Sequence, residues 1–326
     1  MSIKCVNYKC VLDIPTADAI YKITSVIDEN GNDITAKTKI VCDNNAVKIC
    51  DDTIVIACDY CNSNNSITLS AVYEDSSLDF EIKIKKWNVV FEDDFDGECL
   101  DPTKWKHKET KRIDRGFLNY YNKDRTFTKD GCLVSRAYDT GGSRQGKKVC
   151  LTGAVDTKGL FEHGYGYYEF LVRPHQVGGM RVTLSIIAGD MDKEGKECPC
   201  DGWGKYGAEI RIVEMFRNFG INHNVGWDGY GENHKEAIYH ANINHIDIYD
   251  GKFHKFALRW SPSEYIFLVD DIITRRTTAG FVCTEKGYLN IITECGTGVG
   301  NWALNCGESS DMLVDYVKVY STDSDY

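Results

Sequence analysis

The sequence predicts an all-β protein in which a small β-sandwich (residues 1–86) is followed by a large antiparallel β-sandwich of the jelly-roll type (residues 87–326). Short segments of alternating apolar and polar residues recur along the chain, as is typical of half-buried strands. Turn-forming residues separate these segments, and no long amphipathic helix is evident. A hydrophobic content of 42% with only five prolines indicates packed cores and no long linker.

In the first unit, about six or seven short strands are expected, which predicts a small sandwich of two sheets. The pattern resembles that of bacterial immunoglobulin-like modules, which precede catalytic or binding domains. The segments with this alternation are residues 9–14, 53–57, 66–72 and 80–84, and the tight turn is Asn30-Gly31-Asn32-Asp33.

In the second unit, alternation is clearest in residues 165–173, 254–260 and 313–320. So many strands in one unit imply two large antiparallel sheets packed face to face. Curved sheets of this kind expose a concave face, which suits an extended chain-like ligand.

Composition and charge exclude some functions. The net charge of −11 disfavours binding to nucleic acid or to an anionic membrane. Residues Met1 to Cys5 lack the apolar core of a signal peptide, and no apolar run is long enough for membrane insertion. Localisation stays open, and an extracellular or particle-surface role is compatible with the sequence. The fourteen cysteines show no disulfide-framework spacing, which favours reduced thiols.

The segment with the strongest chemical signal is Glu209-Ile210-Arg211-Ile212-Val213-Glu214. Two carboxylates held close together are the catalytic groups of most glycosidases. On a regular strand, residues five apart point to opposite faces of the sheet. A one-residue bulge would return both glutamates to one face, and bulges are frequent beside active sites.

Several motifs, in order, resemble glycoside hydrolase family 16 and together cover nearly all of residues 88–321. The Glu-x-Arg-x-x-Glu segment is similar to the family's Glu-x-Asp-x-x-Glu signature. The other matching segments are Phe91-Glu92-Asp93-Asp94-Phe95-Asp96-Gly97, residues 100–105, residues 158–169, Trp227-Asp228-Gly229-Tyr230-Gly231, residues 253–262, Val269-Asp270-Asp271 and residues 314–320.

The resemblance implies a β-jelly roll with a glycan cleft, in which Glu209 is the nucleophile and Glu214 the general acid/base of a retaining reaction. No organic cofactor is implied. Many family members hold a structural Ca²⁺ ion, for which Glu92 and Asp315 are the candidate ligands here. Aromatic rings stack on sugars in such clefts. We expect Trp203, Trp227, Tyr230 and Trp302 to bind substrate, whereas Trp105 and Trp260 are expected in the core.

Three departures from the family pattern concern the same cleft. Arg211 stands where the family has an aspartate that hydrogen-bonds the nucleophile. Its permanent positive charge favours an ionised Glu209. The same charge also attracts Glu214, although a general acid must begin protonated. Residues 181–185 lack the tryptophans that the family usually carries after Gly178-Gly179-Met180. Gly226 replaces the histidine that usually precedes Trp227.

The sequence therefore leaves two functions open. The favoured one is a retaining endo-β-glycan hydrolase that acts on a β-linked polysaccharide of the glucan or galactan type. The alternative is a catalytically impaired glycan-binding or structural module, such as a surface adhesin or a virion component. The paired glutamates favour the enzyme, and Arg211, Gly226 and the absent tryptophans favour the alternative.

Overall fold

The computed structural model describes residues 2–114, 117–192, 203–216, 220–241, 243, 246–296 and 304–322. The chain divides into two compact units, the first ending at Asn88 and the second running from Val89 to Val319. Among the described residues, no helix is both long and apolar enough to cross a membrane. The all-β fold class is confirmed, because strands dominate both units.

Seven strands form the first unit, together with a 3₁₀ turn (Thr35–Lys37) and one short helix, α1 (Cys58–Ser63). One sheet has the order β1-β2-β5-β4 and the other β3-β6-β7. Its buried residues, among them Tyr21, Ile54 and Leu69, form one core cluster. The immunoglobulin-like resemblance stays a prediction. The strands are β1 (Ile3–Leu12), β2 (Ala19–Asp28), β3 (Lys39–Val41), β4 (Val47–Cys50), β5 (Thr53–Ile56), β6 (Ser66–Tyr73) and β7 (Ser76–Lys83).

The second unit contains two large sheets. The strands that begin it are β8 (Asn88–Asp93), β9 (Lys106–His107), β10 (Lys111–Asp114), β11 (Phe117–Tyr121), β12 (Thr126–Lys129), β13 (Cys132–Arg144), β14 (Lys147–Thr152), β15 (Ala154–Asp156), β16 (Glu162–His163) and β17 (Gly166–Arg173). The strands that complete it are β18 (Met180–Gly189), β19 (Gly207–Phe216), β20 (Gly220–Trp227), β21 (Lys235–His240), β22 (His254–Trp260), β23 (Tyr265–Val269), β24 (Ile272–Thr277), β25 (Gly287–Cys295) and β26 (Ser309–Ser321). Two 3₁₀ turns, Lys123–Arg125 and Asp190–Asp192, connect strands.

Within the described residues, the larger sheet has eleven strands. They follow the path β10-β11-β14-β13-β26-β17-β22-β23-β24, with β12 on β13 and β8 on β26. The smaller sheet, counted in the same way, has eight along the path β21-β20-β19-β18-β25-β15-β9, with β16 on β25. Pairing is antiparallel except between β11 and β14, which run parallel within the described pairings. The two-sheet sandwich that the sequence predicts is thus present.

A single large hydrophobic core lies between the two sheets of the second unit. Alternate residues of β18, such as Leu184 and Ile186, and of β19, such as Ile210, point into it. Trp105 and Trp260 are buried in the same core, as the sequence predicted. Burying one large aliphatic or aromatic side chain contributes about 1.5–3 kcal/mol. The residues between these core positions face the opposite side of the eight-stranded sheet.

The twelve described cysteines are all free in the structure, and reduced thiols stay an expectation from the sequence. The remaining two, Cys198 and Cys200, lie outside the described residues. Buried Cys150 and Cys295 pack with apolar neighbours in a small satellite core. Packing in the described cores therefore proceeds without disulfide crosslinks.

His254 connects two turns at the start of β22. Its Nδ1 lies 2.8 Å from Asp270 Oδ2 and its Nε2 lies 3.1 Å from Asp250 Oδ1. Burial disfavours the charged imidazolium, but the hydrogen bonds to Asp270 and Asp250 outweigh burial and raise the pKa of His254. The folded protein therefore binds this proton more tightly than the unfolded chain does.

We predict that His254 stabilises the fold below about pH 6.5 and that this contribution is lost as pH rises through its raised pKa. The free energy of unfolding, measured by urea titration from pH 6.5 to pH 9, should fall more steeply for wild type than for His254→Gln. Buried His175 and His223, each with a pKa lowered to about 4 by burial, act in the opposite direction below pH 6.5. Identical pH slopes above pH 6.5 would contradict the prediction.

Candidate active site

A cleft of about 810 Å³ lies on the side of the eight-stranded sheet that faces away from the core. Its lining is rich in charge and poor in large apolar rings. The lining residues are basic (Lys108, Arg112, Lys158, Arg181, Arg211), acidic (Asp156, Asp192, Glu209, Glu214), phenolic (Tyr121, Tyr230, Tyr288) and otherwise polar or aliphatic (Thr110, Thr183, Ile187, Asn290, Ile292). Glu209, Arg211 and Glu214, singled out from the sequence, all line it.

A β-bulge brings Glu209 and Glu214 to the same face. Along β19, the pairing with β18 shifts register between Val213 and Arg211, and the pairing with β20 shifts between Arg211 and Glu214. Ile212 and Val213 are both buried in the core, so two successive residues occupy inward positions. The one-residue bulge that the spacing predicted is therefore present, and it points both carboxylates into the cleft.

Glu209 is buried and accepts hydrogen bonds from its neighbours. Arg211 Nη2 donates to Glu209 Oε2 at 2.8 Å, and Ser185 Oγ donates to Glu209 Oε1 at 3.2 Å. The Tyr230 hydroxyl is a further hydrogen-bond partner. Burial alone would raise the pKa of Glu209, but the Arg211 charge and these hydrogen bonds lower it. Glu209 is thus held as a carboxylate, the form that a nucleophile requires.

Arg211 contacts three carboxylates. Besides Glu209, its Nη1 lies 3.4 Å from Glu214 Oε1 and 3.3 Å from Glu236 Oε2. Burial disfavours its charge, but Glu209 and Glu214 outweigh burial and raise the pKa of Arg211. Arg211 therefore does not turn away from the paired glutamates but bridges them.

Glu214 also faces a second guanidinium group. Arg181 Nη1, from β18, lies 3.6 Å from the same oxygen that Arg211 approaches, Glu214 Oε1. Arg181 in turn donates from Nε to Glu294 Oε2 at 3.0 Å and also pairs through Nη2. The floor of the cleft is thus an alternating row of acids and bases across neighbouring strands.

Much of the chain matches the model of a known protein family. The family model described as "Glycosyl hydrolases family 16" matches residues 126–308, which is more than half of the sequence and includes the whole of β19. The chain belongs to glycosyl hydrolase family 16. The fold and the motif resemblance agree with this assignment.

A curated relative and several solved structures are similar to this family-16 chain. Endo-1,3-1,4-beta-glycanase from Rhizobium meliloti (strain 1021) is 22% identical over 184 residues, which cover 54% of this chain and 34% of that protein. The chain therefore spans about a third of the relative's length.

Endo-beta-1,3-glucanase from Pyrococcus furiosus has a TM-score of 0.58 at 20% identity and covers 74% of this chain and 97% of its own. The laminarinase catalytic domain from Thermotoga petrophila gives 0.57 at 22%, with 74% and 100% covered. The Bacteroides ovatus family-16 protein in complex with an oligosaccharide product gives 0.57 at 20%, with 71% and 99% covered. At these identities the similarity shows the fold.

The four aromatic residues that the sequence singled out lie in different places. Tyr230 lines the cleft. Trp203 is half exposed, lies outside the cleft lining and stacks on Phe281 with ring centroids 4.2 Å apart. Trp227 packs partly against the core, and its ring closely contacts Gly280. Trp302 lies outside the described residues. Substrate binding by these residues stays a prediction.

The candidate calcium ligands face other groups. Lys318 Nζ lies 3.9 Å from Glu92 Oε2 and 3.8 Å from Asp94 Oδ1, so a lysine is already next to the carboxylate. Asp315 Oδ1 lies 4.0 Å from Cys132 Sγ. No group of three or more potential side-chain ligands occurs within the described ranges. The side chains around Glu92 fit the lysine, not a divalent cation, and the Ca²⁺ ion stays an expectation.

Local sequence patterns do not reveal the residues that reach the glutamates from other strands. Arg181 belongs to the segment that lacks the family's tryptophans, and no motif marks Glu236 or Glu294. Each meets the site only through strand pairing between segments far apart in sequence. Arg181 pairs with Glu294 in the register of β18 and β25, which is a long-range contact that local spacing does not encode.

We predict that Glu294→Ala lowers the free energy of unfolding by about 3–5 kcal/mol, because the buried Arg181 guanidinium group loses its hydrogen-bonded carboxylate and keeps only the longer contact with Glu214. Glu294 is buried, pairs with Arg181 and Arg112, and accepts a hydrogen bond from the Tyr121 hydroxyl. Chemical denaturation followed by circular dichroism measures the change. Lys129→Ala, which removes an exposed ion pair with Asp130, is the matched control and should change little. Equal stabilities of the two variants would contradict the prediction.

Proposed function

We propose that this chain is an endo-acting, retaining hydrolase of a β-linked glucan or galactan, with Glu209 as nucleophile and Glu214 as general acid/base. The observation that carries the proposal is the bulge, which puts both carboxylates on the cleft face of one strand. Retention of configuration requires carboxyl groups about 5–5.5 Å apart, as in glycosidases that use a covalent intermediate.

The reaction follows from the positions of the two glutamates. The Glu209 carboxylate attacks the anomeric carbon while the bond to the leaving sugar breaks. Glu214 gives its proton to the leaving oxygen, and Glu209 is left as a glycosyl ester. Glu214 then takes a proton from water, and the water oxygen attacks the anomeric carbon and releases Glu209.

The substrate class rests on the relatives. The curated relative is named as an endo-1,3-1,4-beta-glycanase, and structural neighbours are described as endo-1,3-beta-glucanases. A glycan in the cleft would contact tyrosines and charged hydrogen-bonding groups. The exposed Trp203–Phe281 stack offers an aromatic surface for further sugar units beyond the cleft lining.

The alternative function is glycan binding without cleavage. The observation that favours it is the bridging of Glu209 and Glu214 by Arg211, since a general acid must carry a proton that it can give away. Binding on a glycan array without release of reducing ends from the bound glycans would support this alternative. Cleavage that depends on both glutamates would exclude it.

We predict that Glu209→Gln and Glu214→Gln each reduce turnover strongly, the latter by about 10²–10⁴-fold, the usual contribution of a general acid/base. The measurement is reducing-end release from a panel of β-glucans, galactans and sulfated galactans. Glu98→Gln, at an exposed position outside the cleft, is the control and should match wild type. No turnover by wild type, or unchanged turnover in Glu209→Gln, would refute the proposal.

We also predict a pH effect at Arg211. A lowered pKa keeps Glu209 ionised as the pH falls, and activity is lost only when the pH passes below that pKa. Arg211→Met removes the charge that lowers the pKa, so the acidic limb of the kcat/KM profile should move to higher pH. Arg211→Lys, which keeps a charge, should move it less. An unchanged acidic limb in Arg211→Met would show that Arg211 does not set the ionisation of Glu209.

A further inference from the structure

One nitrogen of the Arg211 guanidinium group forms a short hydrogen bond to a single carboxylate, and another nitrogen lies between two carboxylates. Nη2 makes a bond of normal charge-assisted length, 2.8 Å, to Glu209 Oε2. Nη1 lies at almost equal and longer distances from Glu214 Oε1, 3.4 Å, and from Glu236 Oε2, 3.3 Å. A small rotation about the Glu209 contact therefore shortens one of these two contacts and lengthens the other.

Glu236 reaches Arg211 from two strands away. In the sheet register, Glu236 of β21 lies opposite Gly226 of β20, which lies opposite Glu209 of β19. A side chain at position 226 would crowd the His234 ring, since a Cβ there would lie 3.0 Å from His234 Cε1. Gly226 therefore leaves room for the His234 ring, which in turn lies next to the Glu236 carboxylate.

Two more groups orient the Glu236 carboxylate. Asn224 Nδ2 donates to Glu236 Oε2 at 2.8 Å, which fixes the oxygen that Arg211 approaches. His234 Nε2 lies 3.8 Å from the same oxygen. Glu236 Oε2 is thus positioned by residues of β20 and β21 as a hydrogen-bond acceptor for Arg211. Two of the three departures from the family pattern are next to this contact, Arg211 directly and Gly226 through the His234 ring.

We propose that Glu236 is a positioning residue that draws the Arg211 guanidinium group away from Glu214, so that Glu214 can carry and transfer the catalytic proton. The inference rests on the proposed hydrolase function. With Arg211 turned to Glu236, Glu209 keeps its ion pair while Glu214 loses one of its two cationic neighbours. With Arg211 turned to Glu214, both carboxylates are engaged and the acid is blocked.

The charged groups around Glu214 determine how strongly Glu236 affects the ionisation of Glu214. Arg211 faces it from the same strand and Arg181 from β18, where Glu294 of β25 offsets part of the Arg181 charge. Asn222, opposite Glu214 on β20, is neutral. Glu236 approaches from β21. Loss of the Glu236 charge removes a nearby anion and frees Arg211 for Glu214, and both changes favour ionised Glu214.

The test is Glu236→Gln, with Glu232→Gln, at an exposed position on the connection that leads into β21, as the matched control. Titration of ¹³C-labelled glutamate carboxyls by NMR follows Glu214, whose signal is assigned with Glu214→Gln. We expect the Glu214 midpoint to fall by about one pH unit in Glu236→Gln. We also expect the basic limb of kcat/KM to move to lower pH and kcat to fall more than KM changes. Glu232→Gln should leave all three unchanged.

A double variant tests whether Glu236 acts through Arg211. In an Arg211→Met background, Glu236→Gln should lower the Glu214 midpoint by clearly less than it does with Arg211 present, because only the direct effect of the Glu236 charge remains. An unchanged midpoint in the single variant, or an equal shift with and without Arg211, would overturn the inference. If wild type shows no turnover but the midpoint shifts as expected, the hydrolase proposal fails while the Glu236–Arg211 arrangement stands. If wild type shows turnover but the Glu214 midpoint does not move in Glu236→Gln, the hydrolase proposal stands and the inference about Glu236 fails.

Discussion

The ion pair between Arg211 and Glu209 on the bulged strand is the interaction on which the rest of the cleft depends. It keeps the Glu209 carboxylate charged inside a buried site, where an isolated carboxylate would favour its neutral form. It also fixes one end of the guanidinium group, and the other end lies between Glu214 and Glu236. The bulge makes this possible because it puts three charged residues of β19 on one face.

The cleft floor is stabilised by a row of alternating charges that crosses several strands. From Glu214 the row continues through Arg181 to Glu294 and Arg112. Buried ion pairs of this kind contribute little net stability compared with apolar packing, but loss of one partner is strongly destabilising. A family-16 sandwich with such a floor is therefore held in shape by its apolar core and kept in register, on the cleft side, by charge pairing.

Much of the fold follows from local patterns. Alternation in residues 165–173 and 254–260 predicted strands that are now β17 and β22, and the spacing from Glu209 to Glu214 required the bulge. The predictions of these strands and of the bulge succeed because each depends on a few neighbouring residues. Sequence could not place Arg181, Glu236 and Glu294 around the glutamates, since their positions depend on the pairing order of distant strands. For the same reason the sequence expectation for Trp227 differs from its observed position, since this ring was expected in the cleft and packs partly against the core.

The pairing of charges within the cleft has a consequence for how a ligand arrives. Cationic side chains there are matched by anions within a few ångströms, as Lys108 is by Asp156 and Lys158 by Asp192. Such close dipoles largely cancel at a distance, so the cleft projects only a weak field into solvent despite its many charges. A charged ligand would therefore gain little electrostatic steering from the cleft. Its association rate would depend little on ionic strength.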